Sequence, residues 1–353
     1  MKLETERKNF PPRGHSAGIS LVEILVSMAV GILLLIGLTY IFAGSSRSNR
    51  ELHRAGQQIE NARYATIVLT EDIRHAGYYG EFYRLPAAGA LPDPCAQTLL
   101  SLAADIAYPI QGYDSPISTP ISSCLPTTEY LPGTDIVVVR RAQLRPLSGT
   151  DLPVPNDVYI QATGAGYDLQ LGDPTSFVLG AKKADGTDTV LVKKNGMTAA
   201  DIFKLNTHIY FLSPCSGSNC ATDNDGVPTL KRLELVAGAT GPVWRSLPIA
   251  EGIENLQIEY GIDDSPTTPH PFSGQIGDGV PDRYETSPDA TEWPNVIAVT
   301  LHLLSRNAEP TVGHTDAKTY RLGDVTLTPG GAFKRHVIST LIRVTNQGAR
   351  RDS

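Results

Sequence analysis

The sequence lacks the constellations that mark common catalytic and nucleotide-binding classes. Its eight histidines are scattered without an H-E-x-x-H pair, and there is neither a G-x-S-x-G elbow nor a phosphate loop. Catalysis is therefore not expected. A basic excess is also missing: 30 Lys and Arg face 37 Asp and Glu, for a formal charge of −7. Residues 1–18 hold Lys2, Arg7, Lys8 and Arg13 against Glu4 and Glu6, a net +2, so the rest of the chain carries −9. A surface this acidic argues against nucleic acid as partner. The composition is not that of a disordered chain, since 41% hydrophobic residues over 353 positions suffice for one large domain or two small ones. Beyond the N-terminal third no helical run is long enough for repeated crossover connections, so sheets in the rest of the chain are expected to be antiparallel.

What is present is concentrated at the N-terminus. Ile19 to Phe42 form a predominantly apolar run of 24 residues with one charge, Glu23. As a helix they span about 36 Å, enough to cross a bilayer. A carboxylate inside such a segment costs roughly 2.5–3.5 kcal/mol at its centre, so Glu23 calls for a partner. Residues 1–18 are polar, net positive and end in Gly18. A secretory signal would place its cleavage site after a shorter apolar region. Here the order is reversed. Gly18-Ile19-Ser20-Leu21-Val22-Glu23 resembles the prepilin cleavage site: Gly before the cut, a hydrophobic first mature residue, Glu at the fifth mature position. The family usually has Phe where this chain has Ile19. Cleavage after Gly18 frees a cationic amine at Ile19, four residues from Glu23. In a filament, Glu23 can pair with the terminal amine of a neighbouring subunit, offsetting the desolvation of both charges. N-methylation, which the resemblance implies, keeps that positive charge.

The helical period continues beyond the apolar run. Leu52, Ala55, Ile59, Ala62, Thr66, Leu69, Ile73 and Ala76 recur at spacings of three and four, predicting one apolar stripe that packs on a sheet. Gly77 is the expected stop. The helix then runs from Ser20 to Ala76, about 86 Å if unbroken. Asp72-Ile73-Arg74-His75-Ala76-Gly77-Tyr78-Tyr79-Gly80 resembles the segment closing this helix in PilW-type minor pilins. The stretches 253–261, Trp293 to Val299 and 341–346 resemble the same family. The resemblance covers residues 14 to about 85 and 250–347. It implies an α+β, pilin-like fold: leader 1–18, transmembrane helix 19–44, amphipathic continuation 45–77 and a β-rich periplasmic head 78–353. It further implies processing by prepilin peptidase, an inner-membrane assembly platform, and a priming or tip complex with other minor and major pilins, including a tip adhesin. The competing assignment is a J-type minor pseudopilin of type II secretion.

In the head, strands are expected at 136–140, 189–192, 205–212, 230–236, 255–260, 296–304 and 337–344, with 205–212 and 255–260 alternating as half-buried strands do. Leu85 to Gly133 contains eight prolines and two cysteines and reads as a long exposed loop, 86–133. Cys95, Cys124, Cys215 and Cys220 lie in Pro-, Ser- and Gly-rich surroundings that suit disulfides and an oxidising compartment. Of three connectivities we expect Cys95 with Cys124 and Cys215 with Cys220. Neither pair has zinc-ligand spacing. Asp223-Asn224-Asp225-Gly226 and Gly277-Asp278-Gly279-Val280-Pro281-Asp282 are acidic turns able to offer oxygen ligands to calcium. Solvated turns are the default there, because Pro228 stands where an EF-hand loop needs Gly. No cofactor is expected.

Overall fold

The computed structural model describes residues 18, 20–83, 85–116, 121–148, 151–164, 166–173, 191–193, 195, 197–265 and 277–351. The chain divides into two units, residues 1–53 and 54–353. The helix α1, Leu21–Arg74, contributes to both and spans about 81 Å. Within the first unit its mostly apolar stretch, Leu21 to Phe42, is exposed apart from the half-buried Gly31. Hydroxyls inside that segment bond back to the helix: Ser27 Oγ donates to Glu23 O at 2.8 Å and Thr39 Oγ1 to Leu35 O at 2.7 Å. The Ser27 and Thr39 donors are thereby not left to an apolar surround.

In the second unit α1 carries a narrower stripe than its periodicity predicts. Gln58, Ala62, Ala65, Leu69, Asp72 and Ile73 are buried, whereas Ile59 is exposed, as is Leu52 in the first unit. The expected apolar face thus starts later, with Ala62, Leu69, Ile73 and Ala76 buried as expected. Gln58 replaces a hydrophobe at its start, donating from Nε2 to Ser305 O at 2.9 Å. The helix ends as expected. Gly77 has φ +74, and a Cβ there would lie 2.9 Å from Arg350 Nη1 and 3.0 Å from Pro109 Cγ.

Two antiparallel sheets build the rest. The first joins β1 (Ile110–Tyr113), β2 (Ile136–Ala142), β3 (Val158–Ala162), β4 (Tyr167–Leu171), β5 (Ile202–Ser213), β6 (Thr229–Ala237) and β7 (Pro242–Glu251). Its branch point is β5, which pairs β2 along 205–210, β3 along 202–204 and β6 along 208–213. The second sheet has β8 (Ile253–Ile262), β9 (Arg283–Glu285), β10 (Val296–Arg306) and β13 (Arg335–Arg343) in the order β13-β10-β8-β9. A hairpin, β11 (Tyr320–Leu322) and β12 (Val325–Leu327), places Tyr320, Leu322 and Leu327 with Leu304 and Val337 in a small outer cluster. Of the expected strand 189–192, residues 189 and 190 lie outside the described residues, and Val192 forms a single bridge with Ala199.

The main core unites Ala62, Ala65, Leu69 and Ile73 of α1 with Val137, Val139, Tyr210 and Leu212 of the first sheet and Leu256, Ile258, Val299 and Leu301 of the second. The alternate residues Ile136, Val138, Ile209 and Phe211 are buried too, in a cluster with Cys95, Ile121, Leu125 and Tyr130. This corrects two expectations. Strand β5 is buried on both faces rather than half-buried. The proline-rich segment 86–133 is a cover rather than an exposed loop: it contains the short helix α2 (Leu99–Asp105) and β1, and it seals the outer face of the sheet. Proline denies a segment ladder bonds but does not keep its side chains in water. Gly112 in β1 makes the closest approach, since a Cβ there would stand 1.9 Å from Tyr260 Oη.

The C-terminal helix α3 (Thr345–Arg351) closes the end of α1. Asn346 Nδ2 donates to His75 O and Ala76 O at 3.3 and 3.2 Å, and Arg350 Nη2 to Gly77 O at 2.7 Å. Carbonyls that a helix terminus leaves unpaired thereby receive donors, one of them cationic at the negative end of the dipole.

Candidate assembly site

Gly18 precedes α1 with nothing within 4 Å of where a Cβ would stand. Ile19 lies outside the described residues. Glu23 is exposed in the first turn of α1, its N–H donating to Ser20 O at 3.0 Å. An acid suits the positive end of a helix dipole. Around it stand Leu21, Val22, Ile24, Leu25 and Val26, all largely exposed. A carboxylate set in uninterrupted apolar surface needs a cationic partner once that surface leaves water.

The head holds its own buried charges. Asp72, on the buried face of α1, receives Arg141 Nε at 2.5 Å on Oδ1, and His208 Nδ1 at 2.6 Å and Tyr210 Oη at 2.9 Å on Oδ2. Burial pulls its pKa upward, but the charge and hydrogen bonds of His208 and then Arg141 outweigh this and hold it well below the usual carboxylate range. Tyr210 is pushed up, first by burial and then by Asp72. Arg232 extends the chain, donating to Tyr210 Oη at 3.4 Å and pairing with Glu234. This network clasps α1 to β2, β5 and β6 at one register. Composition alone could not reveal it, because Arg141, His208 and Tyr210 are 69, 136 and 138 residues from Asp72. The readable signal was an acid falling in phase with Ala62, Ala65, Leu69 and Ala76.

Two further buried cations pin the cover to the sheet. Arg140 donates to Tyr108 O at 2.9 Å and Gln111 Oε1 at 3.0 Å, with Asp105 Oδ2 at 3.4 Å from its Nε. Lys231 Nζ donates to Gly217 O at 2.6 Å and pairs with Glu129 Oε2 at 3.0 Å. The disulfides are Cys95–Cys124, with Cα atoms 5.6 Å apart, and Cys215–Cys220, at 5.5 Å. Among the described residues the three-donor cluster of metal-ligand type is Glu129 with Cys215 and Cys220, and both of those sulfurs are in the disulfide.

The acidic turns spend their carboxylates on their own loops. Asp225 accepts Ser216 N–H at 3.1 Å and Val227 N–H at 3.0 Å. Asp278 accepts Val280 N–H at 2.9 Å, and Asp282 accepts Asp264 N–H at 2.7 Å. The N–H of Asp223 donates to Asn219 O at 2.8 Å. The four are not brought together as a cluster among the described residues. The organising acid nearby is Asp263, overlooked in the sequence, which accepts Gly279 N–H at 3.2 Å and Arg351 Nε at 3.2 Å.

Comparison with protein-family models matches residues 210–346 to type IV pilus-assembly protein W, the PilW family. That stretch runs from within β5 into α3. No curated protein and no solved structure matches the chain. The family match supports a PilW-type protein with a role in type IV pilus assembly, and hence contact with pilus components. The single apolar N-terminal helix fits a membrane anchor.

Proposed function

We propose that the chain is a minor pilin: a structural, non-catalytic subunit without a resident cofactor. Prepilin peptidase cuts it after Gly18, the new Ile19 amine is methylated, and the subunit enters a priming or tip complex of the type IV pilus. The observation that carries this reading is Glu23, a lone carboxylate in the first turn of an otherwise apolar helix, five residues beyond Gly18. Before assembly the helix sits in the inner membrane with the head in the periplasm. In the filament the apolar surface exchanges lipid for neighbouring helices, and Glu23 takes a neighbour's terminal amine as its counter-charge. Twitching and adhesion then depend on the subunit through filament assembly. The family match favours a pilus over a secretion pseudopilus.

The test is mass spectrometry of sheared filaments and of membranes from the same cells. Wild-type chain is expected in filaments with a methylated Ile19 terminus. Gly18→Leu is expected to stay uncut in the membrane, and Glu23→Ala to be cut yet reach filaments at a fraction of the wild-type amount. Normal trimming of the first variant refutes the cleavage site; wild-type incorporation of the second refutes the charge pairing.

A further inference from the structure

The outer face of the second sheet carries a trio of side chains that neither the core nor the filament anchor uses. Ser339 of β13 lies opposite His302 of β10. Ser339 Oγ is 2.8 Å from His302 Nδ1, and His302 Nε2 is 3.2 Å from Glu259 Oε2 of β8. An ionised carboxylate only accepts, so Nε2 carries the ring proton. Nδ1 of the neutral ring then keeps a lone pair, which accepts the Ser339 hydroxyl. The His302 side chain is 12% exposed, whereas Ser339 is open to solvent. Gly323, at φ +63 in the β11–β12 hairpin, closes over the ring: a Cβ there would stand 3.1 Å from Glu259 Cδ and 3.3 Å from His302 Cδ2. The imidazole is therefore held between a hairpin and an acid, with its basic nitrogen turned to an exposed hydroxyl.

The same register leaves the backbone N–H of Ser339 unused. Val344 N–H donates to Ile297 O, so even-numbered residues of β13 exchange bonds with β10 and odd-numbered ones point outward. β13 is the outer strand of its sheet, and the Ser339 N–H is bonded to no other described residue. Two residues along, Leu341 places its side chain on the same face as Ser339 and is 62% exposed.

We infer that Ser339 is a covalent modification site: an acyl acceptor, activated by His302, whose donor is an ester or thioester with a short apolar acyl chain. A hydroxyl hydrogen-bonded to a base that a third group orients is the arrangement that makes serine nucleophilic. Oγ bonds to the acyl carbon as its proton passes to His302 Nδ1. The donor's C–O or C–S bond then breaks, the electron pair leaves with the oxygen or sulfur, and His302 returns the proton to that atom. Nothing is oxidised or reduced. The Ser339 N–H is at hand for the carbonyl oxygen while that oxygen is negative, and Leu341 gives the acyl chain an apolar neighbour. Glu259 is a positioning residue that acts through the imidazole. The product is one acylated subunit and the reaction ends there, so the inference accords with a structural role in the filament. It is also independent of processing at Gly18.

The experiment treats the full chain in detergent micelles with p-nitrophenyl butyrate and locates the butyryl group by peptide mass spectrometry. Acylation is expected at Ser339. His302→Gln supplies an amide that both donates and accepts but takes no proton, and it is expected to slow acylation of Ser339 by about 100-fold. Leu341→Ala is expected to erase a preference for butyrate over acetate. Nitrogen-15 spectra of His302 read the geometry without any reaction: the Nε2-protonated tautomer is expected in the wild-type chain, and a mixture of tautomers in Glu259→Ala. Equal rates in the wild type and His302→Gln, acylation confined to lysines, or an Nδ1-protonated His302 in the wild type each overturn the inference. The last of these needs no variant to fold. An unchanged preference in Leu341→Ala overturns the choice of an apolar donor.

Discussion

At the scale of single residues, two buried acids give the head opposite responses to pH. Asp72 is held below its ordinary pKa, so its contribution is present above about pH 4, the carboxylate value of an unfolded chain, and is lost as pH falls. Asp135 is the reverse. Burial pushes it up to about 7, against hydrogen bonds from Ser115 and Ile258 N–H and with help from Asp114. Its contribution is complete below about pH 4 and is lost as pH rises through 7. Thermal unfolding scanned from pH 3 to 9 should therefore show greatest stability between the two windows. Asp135→Asn should flatten the decline between about pH 4 and 7, while lowering stability overall, because an amide cannot accept from both backbone donors. Asp72→Asn should cost about 3 kcal/mol near neutral pH, since it leaves the Arg141 charge buried beside a neutral group; unfolding in urea would measure it. A loss under about 0.5 kcal/mol would mean that the clasp adds nothing to the apolar packing around it.

At the scale of elements, α1 depends on how it stops. Gly77→Val places a branched side chain at φ +74, against Pro109 and the Arg350 guanidinium that caps the helix. A loss of about 2 kcal/mol or more is expected in urea unfolding, with faster exchange of the amides in the last turn. A change within error would show that the cap geometry is dispensable. This stop was legible in the sequence, as were α1 and most of β2, β5, β6, β8, β10 and β13, because their apolar residues keep a period of 3.6 or 2. β7 was not, since Pro242 and Pro248 hide an edge strand where proline is tolerated. β3 and β4 are five residues each, too short to carry a period. The segment 86–133 was misread because its composition reports missing ladder bonds, whereas its burial arises from Phe211, Ile209 and Val138, far along the chain. Glu23 stands out in the sequence for the opposite reason: its apolar setting is made by immediate neighbours. Asp72 required distant ones.

At the scale of the whole molecule, the Cys95–Cys124 disulfide fastens a cover that the buried cations Arg140 and Lys231 hold over one sheet face. Cys95–Cys124 closes a separation of 29 residues within that cover. The double change Cys95→Ser with Cys124→Ser should cost about 3 kcal/mol on the loop-entropy model. It should loosen the side-chain packing of Ile136 and Val138, read as methyl order by NMR, more than that of Val137 and Val139, which face the helix side. Uniform loosening of all four would contradict a cover that acts on one face.

The contacts of Asn346 and Arg350 with the carbonyls of residues 75–77 tie together two segments far apart in the order of synthesis. An emerging polypeptide delivers the long helix first, yet that helix receives its last donors only after some 270 further residues have followed it out. Closure of the head at this end therefore waits for residues 345–351, and a chain interrupted upstream of position 345 leaves the carbonyls of residues 75–77 without those donors.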